Sequence, residues 1–423
     1  MQTRRDFLEL IPAMAAIVAS FPAIAAANTQ TKKIILLRSS WQTVNIGDIA
    51  HTPGVLHLLE KYIPDAEIRL WPSGVENGVE ELLLRRFPKL IILKTAEDID
   101  KAIKESNFML HGSGPSLVGR NDLKRWKETT GKPYGVYCIT FPGNYAGPGT
   151  ASVINPIDIE LLSNASFVFF RDSVSLDFAK KNGVTCPIME FGPDGAFAVD
   201  LRNDAAAISF LKQHNLEEGK FLCCIPHVRF TPYWELPAKN RPVDSVKLER
   251  NNLMKEHDNA PLREAIIAVT RQTNMKILIC PEVETQVALG KEIWYDKLPD
   301  DVKPKVVWRD RYWLTDEAVS TYIRSAGLFA LDMHSPIMCV ANDIPAIVCR
   351  FFEQTSKGYM WKDIGLGDWL FDMDNEDDIK KIVPAVLALA KDPKTAKAKA
   401  LKAKQFVQKR QQETMMILKS KMI

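Results

Sequence analysis

The chain has 423 residues, a length that suits two or three domains. Hydrophobic residues make up 46% and charged residues 25%, which are the proportions of an ordinary globular protein and exclude a collagen, a coiled coil and a wholly disordered chain. The formal net charge of +3 gives no indication of nucleic-acid binding, and seven cysteines, an odd number, exclude a fully paired disulfide scaffold.

The first 27 residues have the three parts of an export signal. Arg4 and Arg5 are adjacent, and an alanine-rich apolar stretch follows from Ile11 to Ala27 and ends in small-x-small steps. The arginine pair resembles a twin-arginine (Tat) signal peptide, so we expect export to the periplasm or the extracellular space. The alternatives are a membrane anchor and an ordinary secretory signal. After signal removal we expect no integral membrane segment, because no later stretch is long and apolar enough.

Apolar strand-like runs alternate with helical patterns between residues 32 and 205. The strand-like runs lack strict alternation, which is typical of parallel strands covered by helices on both faces. In chain order the predicted strands are Lys33–Leu37, Ile68–Trp71, Phe108–Leu110, Tyr134–Ile139, Phe167–Phe170 and Ile188–Phe191. The predicted helices are Ile49–Tyr62, Glu80–Phe87, Ala96–Glu105, Leu123–Thr130 and Val174–Asn182.

A second series of the same kind covers residues 215–375. Its predicted strands are Phe221–Ile225, Lys276–Cys280, Val306–Trp308, Leu328–Leu331 and Ala346–Cys349. Its predicted helices are Leu262–Thr273, Thr285–Leu298, Asp316–Ser325 and Ser335–Asn342, and Thr231–Ala260, without a clear period, is predicted to be a long loop. The fold class that follows is α/β, with two doubly wound Rossmann-like domains, residues 32–205 and 215–375, that face each other across a cleft.

The last segment, residues 376–423, is predicted to form C-terminal helices with a basic tail. Residues 391–423 contain ten basic and two acidic residues, a net charge of +8. We expect the tail helix to pack through Leu401, Phe406, Met415 and Ile417. Contact of its lysines with an anionic polysaccharide or lipid is the alternative.

Ligands of open α/β sheets bind at the carboxyl ends of the strands, so the residues that follow each strand are the first candidates for a site. Asn45, Gly47 and Asp48 follow the first strand and open a helix. Asn45 or Asp48 can cap that helix, whose free N–H groups can bind an anion. We therefore predict these three residues to bind substrate.

A glycine loop follows the third predicted strand. Gly112, Ser113 and Gly114 can form a nest of N–H donors for a phosphate or carboxylate, and His111 at the strand end could donate a proton. The loop lacks the Lys-Ser/Thr pair of a Walker phosphate loop. We predict a catalytic role for His111 and a substrate-binding role for the other three residues.

Three further strand ends carry candidate side chains. Arg171 suits bidentate binding of carboxylate or phosphate, unless it pairs with Asp172, and Asp194 projects from a glycine turn toward the same edge. In the second series, Ser335 can cap a helix and His334 stands at its start. We predict Arg171, Asp194 and Ser335 to bind substrate. We predict that His334 lies at the cleft and faces the His111–Ser116 loop, so that His111 and His334 share proton transfer. No His/Cys cluster has zinc spacing, and we expect neither a metal nor a cofactor.

Taken in order, these motifs resemble the polysaccharide pyruvyl transferase family. The motifs are Asn-x-Gly-Asp, the glycine loop, Arg-Asp-Ser after a strand, a Gly-x-Asp turn and His-Ser-Pro-Ile-Met, and they extend from about Ile34 to Phe352. The resemblance implies a fold similar to GT-B glycosyltransferases. It also implies transfer of a pyruvyl group from phosphoenolpyruvate to two hydroxyls of a glycan, such as an exopolysaccharide, as a ketal.

The resemblance also implies residue roles. Arg171 would bind the donor anion, and His334 would be the acid or a phosphate contact. Two residues before that histidine the family usually has an arginine, where this chain has Asp332. Arg309 and Arg350 are the candidates to replace the missing positive charge.

The expected partners are phosphoenolpyruvate or another small anionic donor, and a glycan acceptor. Two other functions remain open on the same fold. One is an exported, non-catalytic or repurposed carbohydrate-binding protein, in which the aromatic segments Phe230–Trp234 and Trp308–Trp313 stack on sugar rings. The other is a GT-B glycosyltransferase that uses a nucleotide sugar.

Overall fold

Two parallel β-sheets wrapped by helices make up the computed structural model, which describes residues 33–142 and 154–422. The described residues belong to one compact unit. The predicted signal, residues 1–27, lies outside the described residues, and the predicted domain boundaries stay a prediction. Within the described part of the chain, no helix has the length and apolar character needed to span a bilayer.

The first sheet has seven strands in the order β3-β2-β1-β4-β5-β6-β7. All neighbouring strands are parallel, and Leu37 of the central strand pairs with Leu70 on one side and with Leu110 on the other. The strands are β1 (Ile34–Ser39), β2 (Glu67–Pro72), β3 (Ile91–Ile92), β4 (Phe108–His111), β5 (Tyr134–Ile139), β6 (Val168–Phe170) and β7 (Met189–Phe191).

The second sheet has six parallel strands in the order β10-β9-β8-β11-β12-β13. In both sheets the chain begins with a central strand, adds strands toward one edge and then crosses over to the other side of the first strand, which is the Rossmann order. The strands are β8 (Phe221–Ile225), β9 (Lys276–Ile279), β10 (Val306–Trp308), β11 (Gly327–Ala330), β12 (Ala346–Arg350) and β13 (Leu370–Asp372).

Fourteen α-helices of the described residues cover the two sheets. Those of the first half are α1 (Ile46–Tyr62), α2 (Val79–Arg86), α3 (Ala96–Glu105), α4 (Arg120–Thr130), α5 (Pro156–Ser163), α6 (Ser173–Lys181) and α7 (Asp204–Gln213). The remainder are α8 (Ser245–Gln272), α9 (Gln286–Ile293), α10 (Thr315–Tyr322), α11 (His334–Val340), α12 (Met360–Asp363), α13 (Glu376–Lys391) and α14 (Pro393–Ser420).

The predicted fold class is confirmed, because the central strands are buried on both faces as their apolar runs indicated. All seven cysteines are buried and unpaired. The edge strands β3 and β13 were not predicted from the sequence. β3 has two residues and β13 has three.

The predicted loop Thr231–Ala260 is wrong in its second half, where α8 begins at Ser245. Asp244 caps this helix through its carboxylate, which accepts from the Lys247 N–H. The first half of α8 buries polar rather than apolar side chains, so it has no apolar period. Asp258, for example, forms a buried ion pair with Arg229 at 2.7 Å.

The two halves of the molecule contact each other at the start of α1. The Ile46 N–H donates to the Glu282 carbonyl at 2.9 Å, and the Glu284 N–H donates to the Val44 carbonyl at 3.0 Å. Thr315 Oγ1, in α10, donates to the Ile46 carbonyl at 2.9 Å. The loop after β9 and the first turn of α10 therefore fix α1 against the second half of the molecule.

The C-terminal helix α14 returns to the first half. Arg410 donates through Nε to the Phe191 carbonyl at 2.7 Å and pairs with Glu190, and Thr414 lies 3.1 Å from the Tyr137 hydroxyl. A helical C-terminus is confirmed. The predicted contact residues are only partly right, because Leu401 and Phe406 are 40% and 44% exposed.

Candidate functional site between the two sheets

The candidate site lies where the crossover points of the two sheets meet. β1 and β4 are the strands on either side of the crossover in the first sheet, and β8 and β11 are their counterparts in the second. In such sheets ligands bind outside the carboxyl ends of these strands. Helix α1 follows β1 and helix α11 follows β11, and the two helices bring one histidine each to this point.

His51 in α1 and Asp194 form the half of the site that belongs to the first sheet. His51 Nδ1 lies 2.9 Å from Asp194 Oδ1, and the other carboxylate oxygen of Asp194 accepts from Arg171 Nη1 at 2.8 Å. Ser113 Oγ lies 3.1 Å from both His51 Nδ1 and Asp194 Oδ1, and accepts from the Gly195 N–H at 3.0 Å. All of these side chains are buried.

His334 and Glu282 form the other half. His334 is the first residue of α11, and its Nδ1 lies 3.2 Å from Glu282 Oε1. The same carboxyl group accepts from the Ser335 N–H at 2.6 Å. The His334 ring meets the His51 ring edge to face, with centroids 4.8 Å apart. A histidine–carboxyl pair from each sheet thus meets its counterpart from the other sheet.

Asp332 extends the second pair. Its carboxylate accepts from Gln286 Nε2 at 3.1 Å, and Gln286 Nε2 in turn lies 2.9 Å from His227 Nδ1. Lys357 Nζ approaches Asp332 to 3.9 Å. Asp332 also lies beside Glu282, since the two carboxyl groups and His334 offer atoms within 4.8 Å of one another.

Burial and neighbouring charges shift the pKa values of these groups in different directions. Burial and the charge of Asp332 raise the pKa of Glu282 well above its ordinary value. Burial would also raise the pKa of Asp332, but the charges of His227 and Lys357 outweigh it and lower that pKa. Burial, with His51 and Lys357 nearby, lowers the pKa of His334 well below its ordinary value.

Asp194 is held as a carboxylate. Burial would raise its pKa, but the charge of His51, its hydrogen bond and the charge of Arg171 lower the pKa well below the ordinary value of an aspartate. His334 is therefore neutral near pH 7, and Asp194 is negative and paired with Arg171.

Several residues that were predicted to bind substrate position the backbone around the site. Asn45 caps α1, and its side-chain oxygen accepts from the N–H groups of Gly47 and Asp48 at 2.7 and 3.3 Å. Gly47 lies directly against His334, and Asp48 accepts from Gln42. This capped turn matches the predicted geometry, while substrate binding by these residues stays a prediction.

The glycine loop packs closely against its surroundings. A methyl group on Gly112 would lie 2.7 Å from Ser39 Oγ, and one on Gly114 would lie 2.6 Å from Trp41 Nε1. Trp41 Nε1 donates to the Ser113 carbonyl at 2.7 Å. Both glycines are thus required for packing, and of this loop it is Ser113 that reaches the histidine pair.

His111 has a different place from the predicted one. Its Nδ1 lies 2.8 Å from the Gly112 carbonyl, and its Nε2 accepts from the Gly119 N–H at 3.0 Å. Burial and the charge of Arg38 lower its pKa to about 3. The histidine that meets His334 is His51 and not His111, and the contacts of His111 favour a structural role.

Arg171 pairs across the sheet edge rather than along the chain. Its partners are Asp194 and Thr140, whereas Asp172 caps α6 through the Ser175 N–H. Ser335 accepts from the Tyr322 hydroxyl at 3.1 Å. Arg171 therefore already has a carboxylate partner and does not offer an unbalanced positive charge.

The two arginines proposed to offset Asp332 lie elsewhere. Arg309 is stacked between Phe210 and Trp313, with its guanidinium carbon 4.6 and 4.2 Å from the two ring centres, and pairs with Glu317. Arg350 pairs with Asp372 and donates to the Thr355 carbonyl. The cation that approaches Asp332 is Lys357.

Sequence reasoning missed His51, Glu282, Gln286, His227 and Lys357. His51 could have been found, because it is four residues after Gly47 and so lies on the same face of α1. Glu282 could also have been found, because it follows β9 at the carboxyl edge. His227, two residues after the end of β8, has the same weak signal.

Two cavities lie in the second half of the molecule. One of about 660 Å³ is lined by the part-exposed Trp308, by Tyr312, and by the carboxyl groups of Glu235, Glu284 and Asp310 among others. The Tyr312 hydroxyl is buried there without a hydrogen-bond partner. A second, of about 400 Å³, is lined by residues that include Tyr233 and Trp234.

Solved structures share this fold at low sequence identity. Anabaena HepE, crystallised with UDP and glucose, is 10% identical with a TM-score of 0.56, and the match covers 92% of this chain and 99% of that one. The UDP-GlcNAc 2-epimerase of Methanocaldococcus jannaschii is 14% identical with a TM-score of 0.53, over 84% of this chain and 92% of that one. These likenesses show a GT-B-like fold.

At the level of sequence, no curated protein matches the chain significantly. The family profile described as polysaccharide pyruvyl transferase matches residues 45–349. The matched stretch contains His51, Ser113, Arg171, Glu282 and His334, so it spans both sheets and the histidine pairs between them. The chain therefore belongs to the polysaccharide pyruvyl transferase family.

Proposed function

We propose that the protein transfers a pyruvyl group from phosphoenolpyruvate to two hydroxyls of a glycan, as a ketal, at the site between the sheets. The observation that carries this proposal is that the family match, residues 45–349, spans the elements that bring His51, Arg171 and His334 together. We place the donor at this point and the glycan acceptor in the two cavities described above.

The reaction balances as follows. The methylene carbon of phosphoenolpyruvate gains a proton, one sugar hydroxyl adds to the adjacent carbon, and the carbon–oxygen bond to phosphate breaks. The second hydroxyl then closes the ketal. The two hydroxyl protons end on the methyl group and on the phosphate, so no oxidant or reductant is needed.

His334 is central to this proposal. Its Nδ1 contacts Glu282, whereas its Nε2 is buried with no hydrogen-bond partner. That nitrogen is the atom left to act on a ligand. We expect His334→Ala to reduce kcat/KM by at least about 100-fold, the scale at which a positioned acid–base or ligand contact acts.

Phosphate release is the test. The purified full chain is incubated with phosphoenolpyruvate and glycan acceptors, and the product is identified by mass as acceptor plus pyruvate minus water. His57→Ala is the matched control, because His57 lies on α1 but pairs with Asp200 away from the site. No phosphate release from folded protein with any acceptor would contradict the proposal.

The large cavity is the proposed acceptor site. Carboxylates next to a part-exposed indole are suited to sugars, since they accept hydroxyl hydrogen bonds while the ring packs on the sugar face. We expect Trp308→Ala to raise KM for the glycan and to leave KM for phosphoenolpyruvate unchanged. Glycan binding without turnover would instead favour the carbohydrate-binding alternative.

The glycosyltransferase alternative rests on the fold, since structures such as HepE contain UDP and glucose. Thermal stabilisation of the chain by nucleotide sugars distinguishes it, because a ligand that binds only the folded state raises stability by mass action. Stabilisation by a nucleotide sugar together with sugar transfer would contradict pyruvyl transfer.

We also propose that residues 1–27 direct export by the twin-arginine route. The support is the paired Arg4 and Arg5 followed by an apolar, alanine-ending stretch. A reporter protein fused to residues 1–27 should be exported, and replacing both arginines by lysine should retain it in the cytosol. Export that is unaffected by the double substitution would contradict this route.

A further inference from the structure

Helix α14 presents a long basic face to solvent. Its residues at positions 394, 398, 401, 405, 408, 412, 416 and 419 are all exposed, and steps of three or four residues place them along one side of the helix. Lys397, Lys402 and Lys409 are also exposed and flank this line. Together these residues form the outer face of α14, which at 1.5 Å per residue is roughly 38 Å long.

The opposite side of α14 is fixed to both halves of the molecule. Lys404 pairs with Asp343, which follows α11 in the second half, at 2.5 Å. Arg410 donates to the carbonyl of Phe191, at the end of β7 in the first half, at 2.7 Å. The outer face is therefore held in a defined orientation on the folded protein and points away from it.

The positive charge of the outer face is not balanced by acidic side chains. Of the two acids in the segment, Asp392 caps the helix and Glu413 pairs with Arg410. The lysines of the face form no ion pair with any residue in the described part of the chain. There are five of them, namely Lys394, Lys397, Lys402, Lys409 and Lys419.

Helix α13, which comes directly before, has the ordinary arrangement of charges. Its first turn contains three acids, which the helix dipole favours, and Lys380 and Lys381 each pair with an aspartate three residues earlier, at 3.0 and 2.9 Å. The first turn of α14 contains Lys394 and no acid, and Lys397 follows at a spacing that brings like charges together. Both features destabilise α14, so binding of an external anion would stabilise it.

Apolar side chains lie between these lysines. Leu401 is 40% exposed and Met416 is 51% exposed, although the same helix buries other apolar residues against the protein. A soluble polyanion such as an acidic polysaccharide would use only the lysine charges. The surface of an anionic bilayer offers phosphates to the lysines and the edge of the hydrocarbon region to the apolar side chains.

We infer that the outer face of α14 binds the surface of a lipid bilayer that contains anionic phospholipids. The helix lies on the bilayer and does not cross it, with Leu401 and Met416 among the headgroups. The lysines supply most of the affinity, since each lysine near an anionic membrane surface contributes about fivefold. Such binding is independent of the proposed reaction, because it uses none of the residues of the site between the sheets.

Co-sedimentation of the purified full chain with lipid vesicles tests this surface. Vesicles of phosphatidylcholine mixed with phosphatidylglycerol are anionic, and vesicles of phosphatidylcholine alone are neutral. We expect tighter binding to the mixed vesicles and weaker binding as salt is added, because salt screens the lysine charges. Residues 1–27 contain an apolar stretch that is present in every variant, so the difference between variants reports on α14.

A triple variant removes the charge at the centre of the face. Lys397→Gln, Lys402→Gln and Lys409→Gln together should weaken binding to the mixed vesicles by about 100-fold, at about fivefold per lysine. The double variant Leu401→Gln and Met416→Gln keeps the net charge and should weaken binding by about tenfold, because it removes apolar area that leaves water on the membrane.

The control changes the net charge by the same amount elsewhere. It replaces three exposed lysines that are each paired with an acid, Lys124, Lys380 and Lys381, by glutamine, and its binding should stay close to that of the wild type. Melting temperatures verify that each variant is folded.

Four outcomes would overturn the inference. They are no binding to the mixed vesicles, equal binding to mixed and neutral vesicles, a triple variant that binds like the wild type, and a control that loses as much affinity as the triple variant. Binding of a soluble acidic polysaccharide through the same lysines, with no binding to vesicles, would be the first of these outcomes and would assign the face to a glycan instead.

Discussion

Gly47 is the residue at which the first turn of α1 comes closest to His334. A methyl group there would lie 2.4 Å from His334 Cβ and 2.5 Å from its Nδ1. Because this contact is buried, we expect Gly47→Ala to lower the free energy of unfolding by about 1–3 kcal/mol and to reduce activity. Gly367→Ala is the control, since its methyl group would meet only Lys362, at an ordinary 3.4 Å. Equal melting temperatures for the two variants would contradict this prediction.

Asp200 makes the stability depend on pH. Its carboxylate lies 2.9 Å from His57 Nδ1 and 2.6 Å from Arg86 Nη2. Burial would raise the pKa of Asp200, but the hydrogen bonds from His57 and Arg86 outweigh it and lower the pKa. A carboxyl group with a lower pKa in the folded state stabilises above its unfolded pKa, about 3.9, and this stabilisation is lost as the pH falls through the folded pKa.

We therefore expect Asp200→Asn to lower the free energy of unfolding at pH 7, with a difference from wild type that shrinks below about pH 4. Denaturant unfolding at several pH values measures it. Asp65→Asn, at an exposed aspartate, is the control. A difference that stays constant between pH 7 and pH 3 would show that Asp200 is not the group responsible.

At the residue scale, the sequence indicated which side chains follow the strands but not which side chains contact one another. His334 at the start of a helix and Asp194 at the sheet edge were predicted from local patterns. The pairing of His334 with His51, and of Arg171 with Asp194, depends on how strands far apart in sequence are ordered in the sheets. No spacing rule contains that information.

At the scale of elements, α14 illustrates why large apolar residues are a poor guide to a helix interface. Its first half packs through the small residues Ala396, Ala400 and Ala403, whereas its second half buries larger ones such as Met415 and Leu418. Small side chains let the helix axis come close to its neighbours, which leaves Leu401 and Phe406 on the outside.

Ala400 provides the test of this packing. We expect Ala400→Leu to lower the free energy of unfolding by about 1–3 kcal/mol, because three extra carbon atoms must enter a filled contact. Ala398→Leu, two residues away on the exposed face, should be nearly neutral. Chemical denaturation of both variants measures the difference, and a destabilised Ala398→Leu with a neutral Ala400→Leu would reverse the assigned faces.

The way in which a strand or helix is buried determines whether the sequence can predict it. The central strands of both sheets were predicted because burial on both faces requires continuous apolar runs. The first half of α8 was missed because its buried face is polar, with Asn251, Asp258 and Asn259 held by hydrogen bonds and an ion pair. A helix of that kind becomes visible only with its partners in place.

At the scale of the whole molecule, function depends on how the two halves are held. Each half has a complete Rossmann-type strand order, and each contributes one histidine to the site. The composition and strand pattern predicted two such halves. The contacts that set their distance, such as the hydrogen bond from Thr315 to Ile46, involve single side chains and cannot be read from a pattern.

Thr315 and Thr321 offer a matched pair to test this. Both are buried threonines of α10, but Thr315 Oγ1 donates across the sheets to the Ile46 carbonyl, whereas Thr321 Oγ1 donates within α10 to the Glu317 carbonyl. Replacing either by valine keeps the shape and removes one hydrogen bond, so we expect each to lower the free energy of unfolding by about 0.5–1.5 kcal/mol.

Only Thr315→Val should also affect the site. Ile46 opens α1, so a loosened contact shifts His51 relative to His334, and displacements of about 1 Å can cost up to about 100-fold in rate. We expect Thr315→Val to lower kcat/KM and Thr321→Val to leave kcat/KM unchanged. Equal effects of the two substitutions on unfolding and on kcat/KM would mean that α10 acts through its own stability and does not set the distance between the halves.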